Sequence, residues 1–202
     1  MSLLEVDELR VSFPGKGWRK KPVEVLHGVS LSVAPGETLG LVGESGSGKT
    51  TIGRAVLGLV TPSGGDIRFD GTSIARISAR DRRRLSRDIQ VVFQDPYTSL
   101  NPSMTVGDIL AEPLVIQGAT AKDARSRVRT LLDQVGLPSD AIERLPREFS
   151  GGQRQRVAIA RALAPEPRLI VCDEPVSALD LSTQARVLDL FVEIQRATGV
   201  AY

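Results

Sequence analysis

The sequence predicts an α/β fold, and three observations carry that prediction. An apolar run at residues 38–42 leads into a glycine-rich segment, and residues 52–59 continue from it as an apolar-periodic helix. Residues 89–93 are a short β-branched run suited to a buried parallel strand. A second apolar strand at residues 168–172 ends in the acidic pair Asp173-Glu174. In such a core, polar chemistry collects at the C-terminal ends of the strands.

The segment between the first strand and helix, Gly43-Glu44-Ser45-Gly46-Ser47-Gly48-Lys49-Thr50, fits G-x-x-x-x-G-K-[ST] at every fixed position. Glycines let the backbone curl so that successive N–H groups of Gly43, Ser45, Gly46 and Gly48 converge on one anion, and the helix starting near Lys49 adds its positive dipole end. Lys49 is expected on the β- and γ-phosphates of a nucleotide, the Thr50 hydroxyl on Mg²⁺, and Thr51 on the α-phosphate. The competing reading is a strand-to-helix turn without a ligand.

Composition bounds the rest. The chain has 202 residues, 41% hydrophobic and 25% charged, as expected for a soluble globular protein, and no apolar run approaches the ~18 residues of a membrane span. Its 26 basic and 24 acidic residues leave a net charge of +2, which gives no reason to expect a nucleic-acid partner. The first residues lack the charged and apolar regions of a secretory signal. Cys172, the only cysteine, suits a reducing compartment and reads as a packed core residue.

Taken in order, residues 3–13 and 23–33 read as extended segments, interrupted by Pro14-Gly15-Lys16-Gly17 and closed by Pro35-Gly36, an antiparallel flap ahead of the core. Trp18 sits at a basic tip with Lys16, Arg19, Lys20 and Lys21, expected to be a solvated loop. Residues 66–69 and the Asp70-Gly71 turn predict a small hairpin. Residues 78–87 carry Arg80, Arg82, Arg83, Arg84 and Arg87 without nearby aromatics, so a solvated helix is expected rather than a nucleic-acid patch. From residue 97 to about residue 147 the pattern turns helical, at residues 106–117 and 121–135, as an inserted lobe.

Phe149-Ser150-Gly151-Gly152-Gln153 opens a further helix that runs to about Leu163. Ser150 is a natural N-cap, and the two glycines permit close backbone approach to a phosphate. Asp173 is the candidate for the metal side. Glu174 is the candidate general base, because a carboxylate beside the γ-phosphate can orient and deprotonate a water. Ser177-Ala178-Leu179-Asp180 and a helix from residue 182 to about 197 follow, and residues 199–202 begin another strand.

In this order the residues resemble the nucleotide-binding subunit of an ABC transporter: Walker A (residues 43–50), Q-loop (Gln94), signature (Ser150 to Gln153, with Phe149 where Leu is commoner), Walker B (residues 170–174) and D-loop (Ser177 to Asp180). The segment Val92-Phe93-Gln94-Asp95-Pro96-Tyr97-Thr98-Ser99-Leu100-Asn101-Pro102, with residues 40–46, is most similar to the oligopeptide, dipeptide and nickel importers. The resemblance implies a P-loop NTPase (RecA-like) core with an antiparallel β flap and an inserted helical subdomain. Residues 1–95 and 165–202 would form the core and flap, and residues 96–164 the helical signature subdomain.

It also implies ATP and Mg²⁺ as ligands, and a head-to-tail pair with a second ATP-binding subunit, identical or not. In that pair Ser150, Gly151, Gly152 and Gln153 of one subunit close over ATP held by the other's phosphate loop, with Asp180 at the interface. Gln94 would sense the γ-phosphate and Mg²⁺, and an aromatic, Phe13 or Trp18, would stack on adenine; Phe13 reads equally as strand packing. The partners implied are membrane-spanning subunits and an extracytoplasmic solute-binding protein, with this chain peripheral on the cytoplasmic face of the inner membrane. The family's switch histidine belongs beyond Tyr202, and His27, the only histidine, reads as a surface or packing residue. A fragment that binds ATP but hydrolyses it poorly, or an ABC-type ATPase of translation or DNA repair, are the alternative expectations.

Overall fold

The computed structural model describes residues 2–15 and 21–202, so the tip at Trp18 lies outside the described residues. The chain divides into two compact units, residues 1–86 with Ala201–Tyr202, and residues 87–200.

In the first unit β1 (Leu4–Phe13), β2 (Val23–Val33), β3 (Gly64–Phe69) and β4 (Thr72–Ser73) form an antiparallel sheet in the order β2-β1-β3-β4, the expected flap and hairpin. The central strand explains the sheet. Leu4 and Val6 are buried at even positions, Leu9 and Val11 at odd ones. The phase changes because the register shifts between Val6 and Leu9, where Glu8 takes a φ of 46°. One extra residue in the strand resets the alternation and keeps the apolar side chains on one face. Leu26, Val33, Ile67 and Phe69 are buried with them. Full burial of each such side chain favours the fold by about 1.5–3 kcal/mol before entropy is counted.

The helix after the phosphate loop, α1 (Lys49–Val56), buries Ile52, Ala55 and Val56, the one-face spacing expected of it. The arginine-rich segment forms α2 (Ala79–Leu85), capped by Ser78, which accepts from the Asp81 amide. It buries no whole residue, yet it is not uniformly solvated. Arg82 donates to the Val56 carbonyl at 3.2 Å and to the Ile74 carbonyl, closing a carbonyl at the C-terminal end of α1, and partial burial lowers its pKa. Sequence alone gave all five arginines the same solvated reading, and geometry singles out this one.

A second correction concerns residues 38–42, expected as the strand that leads into the phosphate loop. They carry no strand assignment, and Val42 is 99% exposed. Leu39 donates to the Tyr202 carbonyl at 2.9 Å and Tyr202 donates to Glu37 at 2.8 Å, so the expected strand at residues 199–202 does begin beside this segment.

In the second unit β5 (Ile89–Val92) and β6 (Leu169–Cys172) pair in parallel, Ile89 opposite Leu169 and Val92 opposite Cys172. Around them lie α3 (Pro96–Ser99), α4 (Val106–Ile116), α5 (Ala121–Gln134), α6 (Gly151–Leu163) and α7 (Leu181–Thr198). The helix starts are set locally: Thr105, Thr120, Ser150 and Asp180 each accept a hydrogen bond from an amide three residues on. The central helix is α6, with Val157, Ala158, Ile159, Ala160, Ala162 and Leu163 all buried, as a helix packed on several sides requires. Its Gln155 is fully buried with neither amide atom hydrogen-bonded. Among the described residues no helix is long and apolar enough to cross a membrane.

Candidate functional site

The candidate residues fall in both units. In the first, residues 43–47 are exposed and Lys49 opens α1. Gly48, the N-cap, has a φ of 97°, and a Cβ there would lie 2.5 Å from Leu26 Cδ2, so glycine is required by both backbone conformation and space. No side chain caps α1, and its first turn holds no acid. The positive dipole end of α1 is therefore not offset by a capping side chain or an acid of its own first turn. The Lys49 ammonium curls back over the same loop, donating to the carbonyls of Gly43 at 2.7 Å and Glu44 at 2.8 Å. A positive side chain, an uncapped helix start and an exposed backbone curl fit a phosphate-bearing ligand. Phe13 ends β1 opposite Val23 and is 39% exposed, which leaves part of its ring accessible.

In the second unit the ends of β5 and β6 bring distant residues together. The Asp173 amide donates to Val92 at 3.0 Å, carrying the parallel ladder one step past β6. Beyond it the Gln94 amide donates to the Glu174 carboxylate at 3.1 Å and to Ser177 Oγ at 3.2 Å, across 80 and 83 residues of chain. Ser177 Oγ in turn donates to the Glu174 carbonyl at 3.1 Å. Glu174 takes a φ of 47°, in the left-handed region, a conformation costing roughly 1–3 kcal/mol in a non-glycine residue and concentrated at functional sites. Gln94 spends its nitrogen on this contact, and its oxygen stays an acceptor. Next to it Asp95 caps α3 by accepting from the Tyr97 amide at 2.8 Å.

The third group is the start of α6. Ser150 and Gln153 form a reciprocal capping box, the Ser150 amide donating to Gln153 Oε1 at 2.9 Å and the Gln153 amide to Ser150 Oγ at 3.3 Å. Gly152 packs against α7: a Cβ there would meet Thr183 Cγ2 at 2.5 Å, whereas at Gly151 the nearest atom would be Leu179 Cδ2 at 3.4 Å. The sequence reading had both glycines serving an anion, and packing within the chain is a second reason for Gly152. Ser150, Gly152 and Gln153 also line an open cleft of about 540 Å³ together with Arg156, Thr183 and Arg186. Asp180 caps α7, and hydrogen bonds from Thr183 and Ser182 hold its carboxyl well below the usual range.

Cys172 is half-buried at the end of β6, and the burial of its thiol pushes its pKa up to about 12, against a reactive thiolate. His27 is an exposed β2 residue 3.5 Å from a Glu24 carboxylate oxygen, so it is a surface histidine. One contact was not foreseen. The Arg154 guanidinium lies 4.0 Å from the centre of the Tyr97 ring. Nothing in the spacing of two residues from different segments signals such a stack.

The family model described as ABC transporter matches residues 26–177. The chain belongs to the ABC transporter family. This ABC chain is 55% identical over 183 residues to a Brucella ovis protein that carries the name peptide import ATP-binding protein, covering 90% of the chain and 58% of that protein. It is 48% identical over 207 residues to the oligopeptide transport ATP-binding protein OppF of Salmonella typhimurium, covering 98% of the chain and 62% of OppF. The ABC chain therefore spans about three-fifths of the length of these relatives. Among solved structures, the dimeric ATP-binding cassette MJ0796 bound to ADP and Pi matches with a TM-score of 0.83 and 26% identity, over 98% of this chain and 85% of that one. The α/β P-loop NTPase fold with its antiparallel flap is thus the fold of this ABC chain.

Proposed function

We propose that this chain is the ATP-binding subunit of an ABC importer, hydrolysing ATP to drive uptake of peptides or a related small solute through partner membrane subunits. The observation that carries the reading is the Glu174 carboxylate at the end of β6, held by Gln94 in a chain that also carries a complete phosphate loop. The names of the Brucella and Salmonella relatives support the solute class. The dimeric cassette supports a paired arrangement with a second ATP-binding subunit.

Each residue then has a stated task. Backbone N–H groups of the loop through Gly43, Ser45, Gly46 and Gly48 receive the phosphate oxygens, Thr51 holds the α-phosphate, and Lys49 exchanges its two loop carbonyls for the β- and γ-phosphates. Thr50, Asp173 and the Gln94 oxygen are hard oxygen donors of the kind that would hold Mg²⁺, and the ion would neutralise charge on the phosphates. Among the described residues no three His, Cys, Asp or Glu side chains cluster, and a magnesium shared with phosphates needs only one or two carboxylates. Glu174 accepts the proton of the attacking water. Ser150, Gly151, Gly152 and Gln153 close over the nucleotide of the second subunit, with Asp180 at that junction, and Arg156 and Arg186 make the cleft beside them favourable to anions. Phe13 stacks on the adenine. In this scheme residues 96–164 are the signature subdomain, and the chain lies on the cytoplasmic face of the membrane with an extracytoplasmic solute-binding protein in the complex.

Steady-state ATP hydrolysis tests the reading. Turnover that disappears in Glu174→Gln while ATP still binds is the expected result. Binding without turnover in the wild-type chain would make it a nucleotide-binding module instead.

A further inference from the structure

The Tyr97–Arg154 stack lies between two groups that the proposed reaction needs. On one side Gln94 touches Glu174, and three residues on, Tyr97 is the second residue of α3, its amide bonded to the Asp95 cap. On the other side Arg154 belongs to the first turns of α6, its amide bonded to the Ser150 carbonyl at 2.9 Å. The Arg154 guanidinium is fixed by the Pro146 carbonyl at 2.8 Å and the Arg147 carbonyl at 3.2 Å, which leaves its face for the ring. The Tyr97 hydroxyl reaches over the same turn, 3.9 Å from where a Gly151 Cβ would stand. At the other end of α3, Arg161 of α6 donates to the Ser99 carbonyl. Two arginines, two turns apart on α6, thus hold both ends of a four-residue helix. Tyr97 is nonetheless 59% exposed, so core packing does not account for its position.

We propose that Tyr97 is a positioning residue: its ring, stacked on Arg154, makes the Gln94 loop and the Ser150–Gly151 turn move as one body, so that Gln94 meets the nucleotide only when the signature turn is in register. A cation over an aromatic face is held by electrostatic attraction to the ring, which links the loop to the helix. The proposal rests on the ATPase reading and adds to it a residue that need not touch the nucleotide.

The test measures kcat and KM for ATP in the intact protein. Tyr97→Ala is expected to lower kcat by about 10- to 100-fold, the scale of a small misplacement of a reacting group, with KM within about two-fold of wild type. Tyr97→Phe, which keeps the π face, is expected to restore kcat. Should Tyr97→Ala melt well below wild type, Tyr97→Leu, which keeps apolar bulk without the π face, decides on the same criterion. Wild-type kcat in the variant without the ring overturns the proposal, as does a loss in Tyr97→Phe equal to that in Tyr97→Ala. No turnover in the wild-type protein overturns the ATPase reading and this proposal together, whereas wild-type turnover beside an indifferent Tyr97→Ala overturns the proposal alone.

Discussion

The phosphate loop of the first unit and the acidic end of the second solve the same problem, holding polar groups in a fixed arrangement, by opposite means. The loop is made of backbone. The helix that follows it has no side-chain cap, its one cation rests on carbonyls five and six residues away, and its conformation depends on Gly48 having no side chain. The acidic end is made of side chains. Gln94 holds Glu174 and Ser177 across 80 and 83 residues of chain, and Glu174 takes an unfavourable backbone angle there. A backbone site can be written in eight consecutive residues. A side-chain site needs the parallel pairing of β5 and β6 before any of its contacts exist.

The largest test of this contrast is Glu174→Gln. It should cut ATP turnover by about 10²–10⁴-fold while ATP binding, a property of the backbone loop, persists; equal losses of binding and turnover would show that the two regions are not separable in function. Gly48→Ala should strike the loop instead. With a φ of 97° and Leu26 Cδ2 2.5 Å from the new methyl, denaturant unfolding should register a loss of roughly 1–3 kcal/mol. The signature glycines sharpen the comparison, because they combine backbone and packing roles. Gly152→Ala runs into Thr183 and should destabilise by about 1–2 kcal/mol, whereas Gly151→Ala has room and should be neutral or stabilising by up to about 1 kcal/mol through helix propensity. Identical unfolding midpoints for the two variants would remove the packing argument for Gly152.

Gln155→Met tests polar groups in the core rather than at the site. Replacing a buried amide with no partner by an apolar chain of similar length should raise stability by about 1 kcal/mol in the same assay. The smallest effect is electrostatic. Asp180 has its folded pKa depressed by Thr183 and Ser182, so its contribution is fully present above the unfolded carboxylate value near ~4 and is lost as pH falls toward the depressed folded value. Asp180→Asn should therefore flatten the acid limb of a stability profile between about pH 2 and 5, and an unchanged slope would argue against the shift.

Particular residues show where reading the sequence succeeded and where it stopped. The helix starts at Thr105, Thr120, Ser150 and Asp180 are legible because capping is a bond between residues three apart. The phase change in β1 is not, since the alternation of buried residues is reset by a bulge at Glu8 that no pattern marks. Arg82 shares its helix with other arginines, and only the packing of α2 beside the end of α1 gives it two carbonyls. Residues 38–42 read as a strand by composition, and the structure gives them no strand assignment and leaves Val42 exposed, because apolar composition alone does not supply a pairing partner.

By itself the sequence determined the α/β class, the phosphate loop, the order of the motifs and most element boundaries. All of these rest on bonds and periodicities confined to a few neighbouring residues. Tertiary structure alone decided that Gln94 holds Glu174, that Gly152 must clear Thr183, and that Tyr97 lies on Arg154. Each of these joins segments tens of residues apart. Their distances follow from how strands and helices pack, which local chemistry constrains but does not specify.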